Sequence, residues 1–427
     1  IVADWLSRGY YTRLLRAGIV IAHRVVDGAG EWYLSAPGWA PHLPQEQSLP
    51  MGPKGDLPEP FARLVKPLAR SAALKPLATL TVERDEWALR DSDGEVAAIV
   101  RDDKVRVRRG DDPASRYREI TVLPTELLTG QQREFLTSAA LAVGASVVPG
   151  FPSLQQRIGA PATGLTSFPK PRELRRDASL EEFVTAIFTE HLGDIVRADL
   201  DRRVLGSDDL GALNDRLWAF GRDLRGLAPV LDPAWREGVE QILAGLPFET
   251  VEDVEQPTLA VIDALVAGVR APRLGDLSQQ NAALLLFERA QQATLILADR
   301  CRTLTDDSPD EAWQAALRAA QQLEVAATVL TPLMPKSMGK LVRRLDDVLD
   351  DLRLCAADTV GGEPELDGLS PSQAYQLGLD YERSRGQAAR RRADFARAWP
   401  ERVKEARALL AKAKKKQQKQ LRKAAKK

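Results

Sequence analysis

The chain has 427 residues and a formal net charge of zero, 60 Lys and Arg against 60 Asp and Glu. At roughly 100–200 residues per domain this length predicts two or three domains, and 44% hydrophobic with 28% charged residues is an ordinary globular composition. No apolar run approaches the ~18 residues of a membrane span, two cysteines (Cys301, Cys355) cannot build a disulfide framework or a zinc cluster, and three histidines (His23, His42, His191) nearly exclude a multi-histidine metal site.

The chain opens on Ile rather than Met, so further sequence upstream is expected. With no leader pattern, a reducing cytoplasmic location is the expectation. The first ~160 residues read as β. Residues 19–26 and 31–35 flank Asp27-Gly28-Ala29-Gly30, a hairpin pattern. A proline-rich loop (37–60) and a short helix (61–72) follow. Strands are expected over 77–90, 96–100, 104–108 and 117–123, with turns at Asp91-Ser92-Asp93-Gly94 and at Asp102-Asp103. Such antiparallel strands with tight turns predict a closed barrel or a sandwich. A second helix is expected over 131–143.

Residues 161–171 carry three prolines and one glycine and read as a linker. Beyond it the period becomes helical. Ser179-Leu180-Glu181-Glu182 is a capping-box pattern opening an amphipathic run. Helices are expected over 208–228, 233–246, 257–270, 276–304, 309–330, 336–358 and 370–410. The organisation is therefore a 1–160 β domain, a 161–178 linker, a 179–411 all-α domain and a 412–427 basic tail.

The neutral total is a cancellation. Residues 1–160 hold 20 basic and 19 acidic residues, 161–411 hold 31 and 41, and 412–427 hold nine and none. A domain that binds anions should be locally basic, and the helical region, at −10, is not.

Two stretches carry a family resemblance. Tyr10-Tyr11-Thr12-Arg13-Leu14-Leu15, then Arg24, then Glu31-Trp32-Tyr33-Leu34-Ser35-Ala36-Pro37-Gly38 resembles the start of a CYTH (triphosphate tunnel) domain. Glu46, Arg84, the Asp93-Gly94 turn, Lys104 and Arg118-Glu119 follow in matching order. In the helical half, Arg222-Asp223-Leu224-Arg225, the segment 345–352, and 377–399 through Arg390-Arg391-Arg392 to Trp399 resemble a CHAD domain. The resemblance implies an N-terminal antiparallel β-tunnel followed by helical bundles. It also implies Mg²⁺- or Mn²⁺-dependent triphosphate hydrolysis and polyphosphate binding. Such chemistry needs inward Lys and Arg for the phosphates and inward acids for the metal.

The residues depart from that pattern. Ile1 would stand after the family's Glu-x-Glu-x-Lys strand, Ser35 replaces a lysine, Thr121 replaces the partner of Glu119, and Ser153-Leu154 replaces a Ser-Lys pair. Asp215 and Trp218 fall where the helical family has His and Arg. What remains for phosphate is Arg24, Arg84, Lys104, Arg118, Arg222 and Arg225, and for metal or catalysis Glu46 and Glu119. Three lost cationic partners at roughly 1.5–3 kcal/mol each cost several thousandfold in affinity. The expectation is a non-catalytic scaffold or partner-binding protein with no cofactor. The alternative is a Mg- or Mn-dependent triphosphatase or polyphosphate binder. Lys412–Lys427 is the expected contact for a polyanion or an acidic protein, unless it is a frayed, solvated helix end. His191 and both cysteines read as buried structural residues, and Asp346, Asp347, Asp350 and Asp351 as a solvated helix face.

Overall fold

A computed structural model describes residues 8–9, 11–26, 29–51, 57–71, 74–91, 93–109, 112–125, 127–160, 162–175, 177–357, 368 and 370–424. Trp5 and Tyr10, Asp27-Gly28 of the first turn, Ser92 of the second, Pro161, Asp358 and 425–427 of the tail lie outside them. The chain divides into two compact units. The first takes Ile1–Lys170, Leu192–Leu213 and Phe248–Val266, and the second Pro171–His191, Asn214–Pro247 and Ala267–Lys427.

The first unit begins with β1 (Arg8–Gly9), α1 (Tyr11–Arg16), β2 (Val20–Val26), β3 (Ala29–Ser35) and β4 (Glu46–Pro50). It continues through α2 (Glu59–Ala69), β5 (Leu74–Leu77), β6 (Thr79–Arg90), β7 (Val96–Arg109), β8 (Asp112–Pro124), α3 (Gly130–Ala142) and α4 (Leu154–Ile158). Two three-stranded antiparallel meanders, β2-β3-β4 and β6-β7-β8, stand beside the small pair β1-β5. The turn between β6 and β7 follows its chemistry. The Asp91 carboxylate accepts from the backbone N–H of Asp93 and of Glu95, both at 2.9 Å, and Gly94 takes φ +86°.

Three expectations are corrected here. First, no ladder joins one sheet to the next among the described residues, so the strands do not close into a barrel. Closure requires a paired neighbour on both sides of every strand, and β2, β4, β6 and β8 each have one. The fold is α+β, small antiparallel sheets followed by a helical C-terminal region. Second, Asp102-Asp103 is not a turn. β7 runs straight through it, with Asp102 opposite Asp85 and Ile120, and Asp103 opposite Arg84 and Glu119. Each carboxylate finds a two-pronged guanidinium, which offsets the low strand propensity of Asp. Third, the loop over 37–60 contains β4, which pairs Ser35 with Glu46.

The core of this unit gathers Leu15, Leu77, Leu80, Val105, Val107 and Ile158. Its helical segments are tied in by charge. Arg203 donates to Asp199 at 2.8 Å, to Glu255 at 2.5 Å and to the Arg63 carbonyl at 3.3 Å. Arg70, held at φ +60° past the end of α2, puts its buried guanidinium 2.7 Å from Asp263. His42 meets Asp201 at 2.7 Å.

The helices are α5 (Leu180–Leu205), α6 (Gly211–Leu227), α7 (Pro233–Leu243), α8 (Val251–Arg270), α9 (Ala282–Arg302), α10 (Asp310–Leu330), α11 (Pro335–Ala357) and α12 (Pro371–Ala424). Parts of α5 and α8 and the first residues of α6 belong to the first unit, and the rest of the set to the second. The capping box at the start of α5 forms as the sequence predicts. The Ser179 N–H donates to Glu182 at 2.9 Å, and the Glu182 N–H to the Ser179 hydroxyl at 3.2 Å. In the second unit Phe188 packs on Phe220 and Trp235. Gly268 lets that ring approach, since a Cβ there would sit 2.8 Å from it.

α11 and α12 run antiparallel. Arg392 donates to the Cys355 carbonyl at 3.1 Å, Arg402 meets Asp351 at 2.7 Å and Arg344 meets Glu405 at 3.5 Å. Up to Ala424 the basic tail is helical, as part of α12, and Ala413 and Gln417 are buried. Both cysteines are buried and unbridged, as expected. Among the described residues no helix is long and apolar enough to cross a membrane.

Candidate functional site

Strand alternation decides which charges meet. On β2 and β3, Arg24, Glu31, Tyr33 and Ser35 share one face; on β6, β7 and β8, Arg84, Asp103 and Glu119 do. In the first unit these faces bound a cavity of about 710 Å³, closed further by Pro152, Leu154 and Arg157. Its apolar wall is Val20, Leu80, Val82, Val105 and Leu154, continuous with the core.

Each cation of this cavity has a carboxylate. Arg24 binds Glu31, donates to the Ser48 hydroxyl at 3.3 Å, and lies 4.1 Å over the Tyr33 ring. Arg84 grips Asp103 with two hydrogen bonds, 2.6 and 2.7 Å. Arg157 meets Glu119 at 2.8 Å and faces the Tyr117 ring. Burial pushes the Glu119 carboxyl above the ordinary range, although Arg157 pulls the other way. Burial also raises the Tyr33 and Tyr117 phenols. The Arg84 guanidinium is raised by its hydrogen bond to Asp103.

The expected phosphate and metal residues divide. Arg24 and Arg84 line the cavity. Glu119 stands beside it through Arg157, and Glu46 lies on the same sheet face, where it bears on the Tyr33 hydroxyl. Lys104 and Arg118 are on the opposite face of their sheet. Lys104 meets Asp85 at 3.1 Å, and Arg118 grips buried Asp102 with two 2.6 Å bonds that hold the Asp102 carboxyl below its usual range. Arg222 and Arg225 are on α6 in the second unit. Arg222 pairs with adjacent Asp223 at 3.1 Å, while exposed Arg225 lies 5.9 Å over the Trp218 ring.

His191 meets Asp223 at 3.0 Å against Phe220. Burial works to raise the Asp223 carboxyl, but His191 and Arg222 together outweigh it and hold it low. Glu31, Tyr33, Asp103 and Arg157 are cavity residues that sequence reasoning did not single out. The Ser153/Gln156 capping box of α4 was the available signal for Arg157.

Mg²⁺ or Mn²⁺ needs several converging oxygens. Among the described residues no group of three or more His, Cys, Asp or Glu could hold a metal ion. Glu119 is committed to Arg157, so these residues do not fit the metal. No model of a known protein family matches the chain, and no curated protein matches it in sequence.

Proposed function

We propose that this is a non-hydrolysing binding protein, a CYTH–CHAD-like scaffold whose two unclosed sheets wall a cavity that has given up triphosphate. One observation carries the reading: Arg24, Arg84 and Arg157 each hold a carboxylate at the cavity. A triphosphate entering there meets Glu31 and Asp103 on the wall, with Glu119 behind Arg157. Two like charges at 4 Å and an effective dielectric of 20 repel by about 4 kcal/mol, so the acids cancel what the guanidiniums offer. What fits instead is a small, net-neutral ligand with an apolar side for Val82 and Leu154 and polar groups for Tyr33 and Ser35. The scaffold is read as a cytoplasmic protein.

The test is release of phosphate from inorganic tripolyphosphate by the purified chain with Mg²⁺ or Mn²⁺. No release above buffer is expected. Metal-dependent release abolished by Glu119→Gln or Glu46→Gln would overturn the reading in favour of a triphosphatase.

A further inference from the structure

Many arginines of the second unit pair with an acid on their own helix or the next. Arg353 pairs with Asp350, Arg383 with Asp380, Arg397 with Asp394, and Arg402 with Asp351. One place instead gathers cations with little acid beside them. Between α11 and α12 lies a groove of about 660 Å³ lined by Lys340, Arg343, Arg344 and Lys412, floored by Leu409, with Glu405 its only acid. Glu405 answers Arg344 alone, at 3.5 Å. Lys340, Arg343 and Lys412 are exposed and have no acidic partner among the described residues.

The antiparallel packing creates this concentration. α11 is basic in its first half (Lys336, Lys340, Arg343, Arg344) and acidic in its second (Asp346, Asp347, Asp350, Asp351). α12 lays its own basic end, from Lys412 through Lys416, beside the basic half of α11. Like charges held side by side without acids are repulsive until an anion enters.

We propose that the α11–α12 groove binds the phosphate backbone of nucleic acid without reading its sequence. Three features favour this occupant. Lys336, Lys340 and Arg343–Arg344 recur at helical spacing, as do Lys412 and Lys416, forming two cationic ridges. Successive cations at i and i+4 stand ~6 Å apart along each helix, a row of charge dense enough to follow the closely spaced phosphates of a nucleic-acid strand. No aromatic side chain lines the groove to stack on a base. The cationic ridge then continues into a tail with no acid at all.

The experiment is fluorescence anisotropy of a labelled, mixed-sequence DNA duplex with the full chain at increasing salt. Three unanswered groove cations predict a linear fall of log K with log salt, slope about −2.7, independent of base sequence. Lys340→Gln, Arg343→Gln and Lys412→Gln should each weaken binding about eightfold at 0.1 M salt and lower the slope by about 0.9. Arg343→Lys should keep it. Lys404→Gln, at an exposed residue already paired with Glu401, should leave it unchanged. Absence of binding at the lowest salt overturns the proposal. So does unchanged binding by the triple glutamine variant, or equal weakening by Lys404→Gln. Tighter binding of polyglutamate at matched charge reassigns the groove to an acidic protein. Displacement of the duplex by a lower phosphate concentration of inorganic polyphosphate reassigns it to that polymer.

Discussion

The inter-sheet cavity and the α11–α12 groove hold similar numbers of cations and differ in what answers them. In the cavity three guanidiniums face three carboxylates at hydrogen-bond distance. In the groove four cations share one glutamate. Counting basic residues would rank the two alike. What separates them is the register of strands in one case and the antiparallel lie of two helices in the other. Anion affinity follows the cation that is left over, not the cation that is present.

The strongest way to break this contrast is to unpair the cavity. Glu31→Gln with Asp103→Asn frees Arg24 and Arg84, and at roughly 1.5–3 kcal/mol per charge-assisted bond the tripolyphosphate affinity should rise at least a hundredfold by calorimetric titration. A variant that binds no better would show that the carboxylates are not what excludes the anion. The same pairing has a stability side. Asp103→Asn alone strands the half-buried Arg84 and should cost about 2 kcal/mol in urea unfolding. Lys340→Gln or Lys412→Gln, at exposed and unpaired positions, should stay within about 0.5 kcal/mol.

The response to pH is a subtler separation. Glu119 is raised in the folded state by burial, so it favours folding when protonated. Its contribution is present below the ordinary carboxylate range and is lost as pH rises through its folded value. Asp102 and Asp223 are lowered, the first by Arg118 and the second by His191 and Arg222 against burial. Their contribution is present above the ordinary range and is lost as pH falls through their folded values. In melts across this range, Glu119→Gln should remove the loss on the rising side, and Asp223→Asn should soften the loss on the acid side. The smallest effect is local. Burial pushes the Cys301 thiol up to about 12, so it should resist alkylation near pH 8 until the chain unfolds, as read by mass spectrometry.

Local signals carried the parts of this fold that are local. The Ser179/Glu182 box, the hairpin of β2 and β3, and the helical periods of α6, α9, α10 and α11 are readable because their chemistry lies within a few residues. Asp102-Asp103 misled because Asp is a turn former by default, and the guanidiniums that hold it in a strand lie 19 and 16 residues away. Arg84, Lys104 and Arg118 looked like one set in sequence. Alternation is legible, but register is not, and with Arg84 opposite Asp103 the lysine and Arg118 turn to the other face. The groove was invisible for a related reason: only the packing of α11 on α12 brings Lys340 and Lys412 to one place.

The first unit is assembled from three separate stretches, ending at residue 266. Arg63 of α2 and Arg70 just past it wait on Arg203 and Asp263, more than a hundred positions later. During synthesis the sheets therefore emerge long before the groups that complete their helical side, and the loop to be closed spans most of the second unit's first segments. Closing so long a loop is slow even though its entropy grows only with the logarithm of length. A fragment stopping at residue 170 should leave Arg70 buried without its carboxylate, and it should fold poorly although every strand is present.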